Sequence, residues 1–168
     1  MNYFELYGIP VSLTPDKAEV KKKFYELSRK YHPDMFGNAD AGEQAEALEM
    51  SSAVNKAFKV FNNNDETIKY VLQLKGLLQE EEKYQLPPDF LMEMMELNEQ
   101  LADAKMSDDP AEISNVQQTI STIENDIYAP VKEDIEGYTE GVTPEEALLR
   151  VKNYYFKKKY LNRLREGI

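Results

Sequence analysis

Apolar side chains in this chain recur at intervals of three and four residues, and no stretch alternates apolar and polar positions as a half-buried strand does. A short first helix is expected over Tyr3 to Tyr7. The sequence Thr14-Pro15-Asp16 predicts the start of a second, with Thr14 as the N-cap and Pro15 at the first helical position. One face of this helix is apolar and contains Val20, Phe24, Leu27 and Tyr31.

Pro33 separates the second helix from a third, and the two are expected to form a helical hairpin. The second helix must end by His32, because Pro33 cannot donate a backbone hydrogen bond and disfavours helical geometry in the residue before it. A third helix is predicted from about Asp40 to Phe61, and a shorter fourth helix ends near Gly76. The inward positions expected in these two helices are Met50, Val54, Ala57, Phe58, Phe61, Ile68, Val71 and Leu72.

The second half of the chain predicts three longer helices. The acidic run at 80–82 and the proline pair at 87–88 indicate a linker over residues 77–88. Helices are expected from Phe90 to about Lys105, from Pro110 onward with a bend or break at Pro130, and from a capping box at 143–146 to about Arg165. The fold class is therefore all-α, with a four-helix unit at 1–76, a linker at 77–88 and a three-helix bundle at 89–168.

Charge divides the chain at the same place. The protein has 168 residues and a net charge of -11. Residues 1–75 hold 10 basic and 11 acidic side chains, whereas residues 76–168 hold 10 and 20. This balance disfavours general nucleic-acid binding, which depends on Lys and Arg at phosphates. The last helix has seven basic residues and no acid between 147 and 165, so we expect it to cross the acidic residues that precede it.

The sequence also limits the chemistry that the chain can perform. It contains no cysteine and one histidine, which leaves no thiolate nucleophile, no cysteine-ligated cluster and too few ligands for a zinc site. No phosphate-binding loop is present. We therefore expect no catalytic residues, no metal and no cofactor. The N-terminus lacks the features of a signal peptide and no apolar run reaches membrane-spanning length, which leads us to expect a bacterial cytoplasmic protein.

The single histidine lies in the tripeptide His32-Pro33-Asp34 at the mouth of the predicted hairpin. Alone, the tripeptide is a common way to end a helix. Here it follows a basic amphipathic helix and precedes a long partner helix, and in this setting the chain resembles a J-domain co-chaperone of the HscB type. The segments that carry the resemblance are 3–10, 24–27, Arg29, 31–34, Phe36, 54–58, 70–72, 90–97 and Phe156. Asn98 and Thr67 depart from it, at positions where the family often has arginine.

The resemblance implies an adaptor that binds an iron-sulfur cluster scaffold protein and stimulates the ATPase of a DnaK/HscA-class chaperone. It assigns the N-terminal unit as the J-domain and the C-terminal unit as the scaffold-binding domain. The implied chaperone-binding residues are Lys21, Lys22, Lys23, Arg29, Lys30, His32, Pro33 and Asp34. The implied scaffold-binding residues are Leu91, Met92, Met95, Glu96, Glu99 and Phe156. Met94, Leu97 and Leu101 are expected in the core.

Other interpretations remain open at this stage. The lysines are also compatible with a solvated helix face, and the methionine-rich helix is also compatible with a purely structural core stripe. A general J-domain protein for unfolded clients is a second functional class, although the Gly/Phe-rich and Cys-x-x-Cys segments of such proteins are missing. A helical adaptor with no chaperone partner is a third. An enzyme is the least favoured.

Overall fold

The computed structural model describes all 168 residues, and all of its regular secondary structure is helical. The longer elements are α1 (Tyr3–Tyr7), α2 (Lys17–Lys30), α3 (Ala41–Phe61), α4 (Asn64–Leu74), α5 (Pro88–Ser107), α6 (Pro110–Tyr128), α7 (Lys132–Glu136) and α8 (Glu145–Glu166). Two 3₁₀ turns, Pro33–Phe36 and Ala129–Val131, follow α2 and α6. The all-α class is confirmed, and so is the predicted break near Pro130.

The first compact unit contains residues 1–75 and also 138–143. Its centre is formed by α1, where Phe4 and Tyr7 are buried and both rings lie against Phe61 at the end of α3. The Tyr7 hydroxyl donates to the Val54 carbonyl at 2.7 Å, which satisfies a polar group that has left water. Burial raises the pKa of that tyrosine well above its usual value.

Helices α2 and α3 form an antiparallel hairpin. The Lys17 ammonium group, at the start of α2, donates to the Phe61 carbonyl at the end of α3. Midway along the pair, the Phe24 and Phe58 rings stack with their centroids 3.9 Å apart. The Pro33–Phe36 turn therefore lies at the opposite end of the hairpin from the contact between Lys17 and Phe61.

Two predicted helix starts were wrong in detail. The N-cap of α2 is Asp16, whose carboxylate accepts the N–H groups of Ala18 and Glu19, so α2 begins after Pro15. A carboxylate also complements the positive end of the helix better than the hydroxyl of Thr14 does. At α8 the cap position belongs to Pro144 and no side chain caps it, because the Thr143 hydroxyl accepts instead from the Thr139 N–H.

The second compact unit contains residues 76–137 and 144–168. Its core joins α5, α6 and α8 through one cluster of buried side chains: Phe90, Met94, Leu97, Leu101, Ala104, Val116, Ile120, Ile123 and Leu161. The basic helix α8 crosses acidic neighbours as expected: Arg150 pairs with Asp134, Lys152 with Glu82, and Lys158 and Arg165 with Glu124.

Two segments lie elsewhere than the local sequence pattern suggests. Residues 77–88, expected as a linker, pack into the second unit, where Leu86 lies against the core and Leu78 is buried. The Tyr84 ring stacks on Phe156 at 4.4 Å, and its hydroxyl accepts from Asn153. Residues 138–143 belong to the first unit, where Glu140 pairs with Lys75. The functional boundaries at 1–76 and 89–168 stay a prediction.

Candidate functional site

The turn that follows α2 presents the His-Pro-Asp motif. Helix α2 ends at Lys30, and Pro33 occupies the first position of the 3₁₀ turn, where its missing N–H costs nothing. His32 caps this turn, since its Nδ1 accepts the Asp34 N–H at 3.2 Å while its carbonyl accepts the Met35 N–H at 2.9 Å. The histidine thus supports the backbone of the turn by hydrogen bonding.

The Asp34 carboxylate is the most accessible part of this turn. Its side chain is 90% exposed, and the His32 Nδ1 lies 3.6 Å from one of its oxygens. Pro33 is exposed beside it. A carboxylate exposed on a hydrogen-bonded turn in this way has most of its hydrogen-bonding capacity available to a basic group on another molecule.

The predicted basic residues lie along α2, the helix that leads into this turn. Lys21, Lys22, Arg29 and Lys30 are exposed. Lys23 is half-buried, and its ammonium nitrogen lies 4.0 Å from a carboxylate oxygen of Glu26 at the protein surface, where an ion pair contributes little to stability. Lys17 was not among the predicted residues, and its ammonium group is used within the hairpin. The α2 surface therefore carries a local positive charge in a protein that is acidic overall.

Sequence reasoning missed an apolar groove next to Asp34. The groove has a volume of about 530 Å³ and is lined by Tyr25, Ser28, Arg29, His32, Asp34 and Met35. The Tyr25 side chain is 53% exposed and that of Met35 is 71% exposed. The sequence contained one indication of it: Tyr25 and Met35 are apolar residues that do not belong to the buried face of α2. We refer to this feature as the HPD groove.

Helix α5 is apolar on more than one side. Met94 and Leu97 face the core and are almost completely buried. Leu91, Met92 and Met95 are exposed by 39%, 67% and 64%. The expected core positions are thus confirmed, and the three residues of the implied scaffold site are accessible. Glu96 and Glu99 are also exposed on the same helix.

Phe156 has a different environment from these residues. It is half-buried, and its ring stacks in parallel on Tyr84 and edge-on against Tyr155. Lys159 lies 5.9 Å from its centroid. Tyr84 is therefore a neighbour of the implied site that the sequence did not indicate, because it comes from the segment that was expected to be a linker.

The two departures from the resemblance have local roles. The Asn98 side-chain amide donates to the Met94 carbonyl and, at 2.9 Å, to the Tyr160 hydroxyl of α8. The Thr67 side chain is 1% exposed, and its hydroxyl lies within hydrogen-bond distance of the Val60 and Asn63 carbonyls. Both residues make contacts inside their own unit.

No group of three or more His, Cys, Asp or Glu residues is arranged to hold a metal ion. None of the helices combines the length and hydrophobicity that crossing a membrane requires.

Comparison with known proteins agrees with the division of the helices. A DnaJ domain model matches residues 2–70, and a model described as the HSCB C-terminal oligomerisation domain matches residues 86–168. The Co-chaperone protein HscB homolog of Shewanella halifaxensis is 34% identical over 134 residues, which cover 79% of this chain and 77% of that relative. The chain belongs to the HscB co-chaperone family.

Further relatives are consistent with this assignment. The HscB homolog of Vibrio cholerae is 33% identical over 111 residues, which cover 66% of this chain and 65% of that protein. The solved structure of the chaperone HscB from Vibrio cholerae has a TM-score of 0.75 and 25% identity, and covers 99% of this chain and 94% of that one. The fold is therefore that of an HscB protein, with a J-domain followed by the HscB C-terminal domain, and the chain is a J-domain co-chaperone.

Proposed function

We propose that this co-chaperone acts as an adaptor in iron-sulfur cluster biogenesis. Its C-terminal domain binds a cluster scaffold protein, and its J-domain brings that scaffold to a DnaK/HscA-class chaperone and stimulates the chaperone ATPase. The observation that carries the proposal is the exposed Asp34 carboxylate, fixed on the His-Pro-Asp turn at the end of a basic helix.

On the chaperone side, the proposed contact is a charge-assisted bond between Asp34 and an arginine. Such bonds are about twice as strong as neutral hydrogen bonds. The exposed cations of α2 add a positive field, which accelerates encounter with an acidic surface. His32 and Pro33 hold the turn, so the loss of chain entropy on binding is small.

On the scaffold side, we assign binding to the outer face of α5. Leu91, Met92 and Met95 provide a flexible apolar surface of the kind found in the centre of interfaces, and Glu96 and Glu99 provide a polar rim. Phe156 extends the site from α8, positioned by its stack on Tyr84.

In this proposal the chain performs no catalysis itself. ATP hydrolysis occurs on the chaperone and the cluster is carried by the scaffold. We also propose the cytoplasmic location that the sequence predicts, because the co-chaperone, the chaperone and the scaffold must be in the same compartment. Cell fractionation tests this location.

The direct test is a steady-state ATPase assay with the chaperone and scaffold of the same organism. We expect the wild-type chain to raise the ATPase rate and the scaffold to raise it further. Leu91→Ala and Met92→Ala should lose the additional effect of the scaffold but retain the scaffold-free stimulation. An unchanged chaperone ATPase rate at saturating co-chaperone contradicts the proposal.

A further inference from the structure

Methionine is the only sulfur-containing residue of this chain, which has seven methionines and no cysteine. Met92 and Met95 are 67% and 64% exposed, and they lie three positions apart on one side of α5. Met94, between them in the sequence, is 1% exposed and belongs to the core. One helix therefore presents two accessible thioethers beside a third that is protected.

An accessible thioether reacts with a hydroperoxide in a two-electron step. With hydrogen peroxide, the sulfur lone pair attacks one oxygen, and an S–O bond forms as the O–O bond breaks. The leaving hydroxide takes the proton of the transferred hydroxyl group and becomes water. The product, methionine sulfoxide, is polar where the thioether was apolar. A methionine sulfoxide reductase reverses the change, because a dithiol is oxidised to a disulfide while the oxygen is released as water.

The surface of α5 offers few groups that could satisfy a sulfoxide oxygen. This oxygen accepts hydrogen bonds, and the exposed carboxylates of Glu96 and Glu99 are acceptors as well. No lysine or arginine occurs between residues 84 and 104. The Asn98 amide already donates to two other acceptors. Among the residues of α5, a sulfoxide must therefore be hydrated by water, and a partner that covers this face must remove that water.

Resting on the function proposed above, we propose that Met92 and Met95 are oxidation sites through which a hydroperoxide reversibly weakens scaffold binding. Both thioethers are accessible, and both belong to the apolar surface assigned to the scaffold. Burial of a polar group without a hydrogen-bond partner is unfavourable, so the oxidised surface binds an apolar partner less well. The fold is retained, because Met94 is shielded within the core.

The test is isothermal titration of the scaffold into the full chain before and after treatment with hydrogen peroxide, which is removed before the scaffold is added. Peptide mass spectrometry should find sulfoxide at Met92 and Met95 and an intact thioether at Met94. We expect the Kd to rise about tenfold, because an unpaired polar group is buried in the complex, and the far-UV circular dichroism to stay unchanged. Treatment of the oxidised sample with a methionine sulfoxide reductase and dithiothreitol should restore the original Kd.

The variant Met92→Leu/Met95→Leu separates these two sites from the other methionines. Leucine has a similar volume and cannot be oxidised, so the Kd of this variant, whatever its starting value, should be the same before and after peroxide. Met106→Leu is the matched control, because Met106 is 83% exposed and lies roughly 16 Å farther along α5 than Met95. The control should lose affinity after peroxide as the wild type does. Recovery by the reductase uses the unsubstituted chain and so tests the inference independently of the leucines.

The outcomes separate this inference from the function on which it rests. If the untreated chain does not bind the scaffold, the proposed function and the inference both fail. If it binds, but Met92 and Met95 resist peroxide or their sulfoxides leave the Kd unchanged, the inference fails and the proposed function stands. An equal loss of affinity in Met92→Leu/Met95→Leu, or no recovery with the reductase, would assign the peroxide effect to other changes and also overturn the inference.

Discussion

The residues of α5 show how burial separates two roles for the same side chain. Met92 and Met94 are two positions apart, yet Met92 is 67% exposed and Met94 is 1% exposed. Truncating a buried methionine removes packing and leaves a cavity, at a cost of roughly 2–5 kcal/mol of folding free energy. We expect Met94→Ala to be destabilised by about this amount in urea unfolding, and Met92→Ala to be nearly as stable as the wild type.

Scaffold binding should follow the opposite order. Isothermal titration with the scaffold protein should show weaker binding for Met92→Ala, whereas the folded fraction of Met94→Ala should bind normally. A large loss of stability in Met92→Ala with unchanged scaffold affinity would assign Met92 to the core. The proposed scaffold site would then have to lie elsewhere.

Thr67 is a residue whose role only the structure reveals. The resemblance marks it as a departure from a common arginine, but its buried hydroxyl joins the end of α3 to the start of α4. We expect Thr67→Val to lower the free energy of unfolding by about 1 kcal/mol, since the methyl group fills the space but the hydrogen bond is lost. Thr67→Ser retains the hydroxyl and should recover that hydrogen-bond contribution. Equal unfolding free energies for Thr67→Val and the wild type would show that the bond contributes nothing.

At the scale of elements, α2 combines a packed face with a charged face. We expect Lys22→Glu/Lys23→Glu to slow association with the chaperone most strongly at low salt, because exposed charges act over the Debye length. Stopped-flow measurement over a salt series tests this prediction. The control is Lys105→Glu/Lys132→Glu, which makes the same change in net charge at exposed positions of the second unit. Equal slowing in both variants would attribute the effect to net charge rather than to α2.

The segment before α5 is held to α8 by contacts that titrate. A hydrogen bond from Lys152 holds the pKa of Glu82 below its usual value of 4.5. A carboxyl group whose pKa is lower in the folded chain than in the unfolded chain stabilises the fold when the pH is above its unfolded-state pKa. This stabilisation is lost as the pH falls through its folded-state pKa. We expect Glu82→Gln to be less stable than the wild type at neutral pH, and the difference to shrink below about pH 4.5. A difference that is constant with pH would contradict this origin.

This segment also shows where local sequence reasoning stops. Helices with strong periodicity, caps and proline breaks were predictable, because their signals lie within a few residues of one another. Tyr84 and Asn153 are 69 positions apart, and no local pattern indicates their contact. The acidic run at 80–82 suggested a solvated linker, yet Glu82 finds its partner on α8.

For the molecule as a whole, charge and apolar surface are distributed between two compact units. The first presents a basic helix with an exposed carboxylate, and the second presents an acidic, methionine-rich helix with three accessible apolar residues, Leu91, Met92 and Met95, in its N-terminal half. The sequence predicts both surfaces, through the His-Pro-Asp motif and the excess of apolar residues on α5, and the residues that it names there are mostly exposed. It did not identify the HPD groove, because exposure of Tyr25 and Met35 depends on how the turn packs beside α2.

The central claim is that this co-chaperone activates its chaperone through Asp34. The most direct measurement is single-turnover ATP hydrolysis by the chaperone, with the wild-type chain and with Asp34→Asn at saturating concentrations. Because the Asp34 side chain is 90% exposed, the variant should fold and melt as the wild type does. We predict that the wild type accelerates hydrolysis and that Asp34→Asn leaves the rate at its basal value. Wild-type acceleration by the folded Asp34→Asn variant would contradict the account.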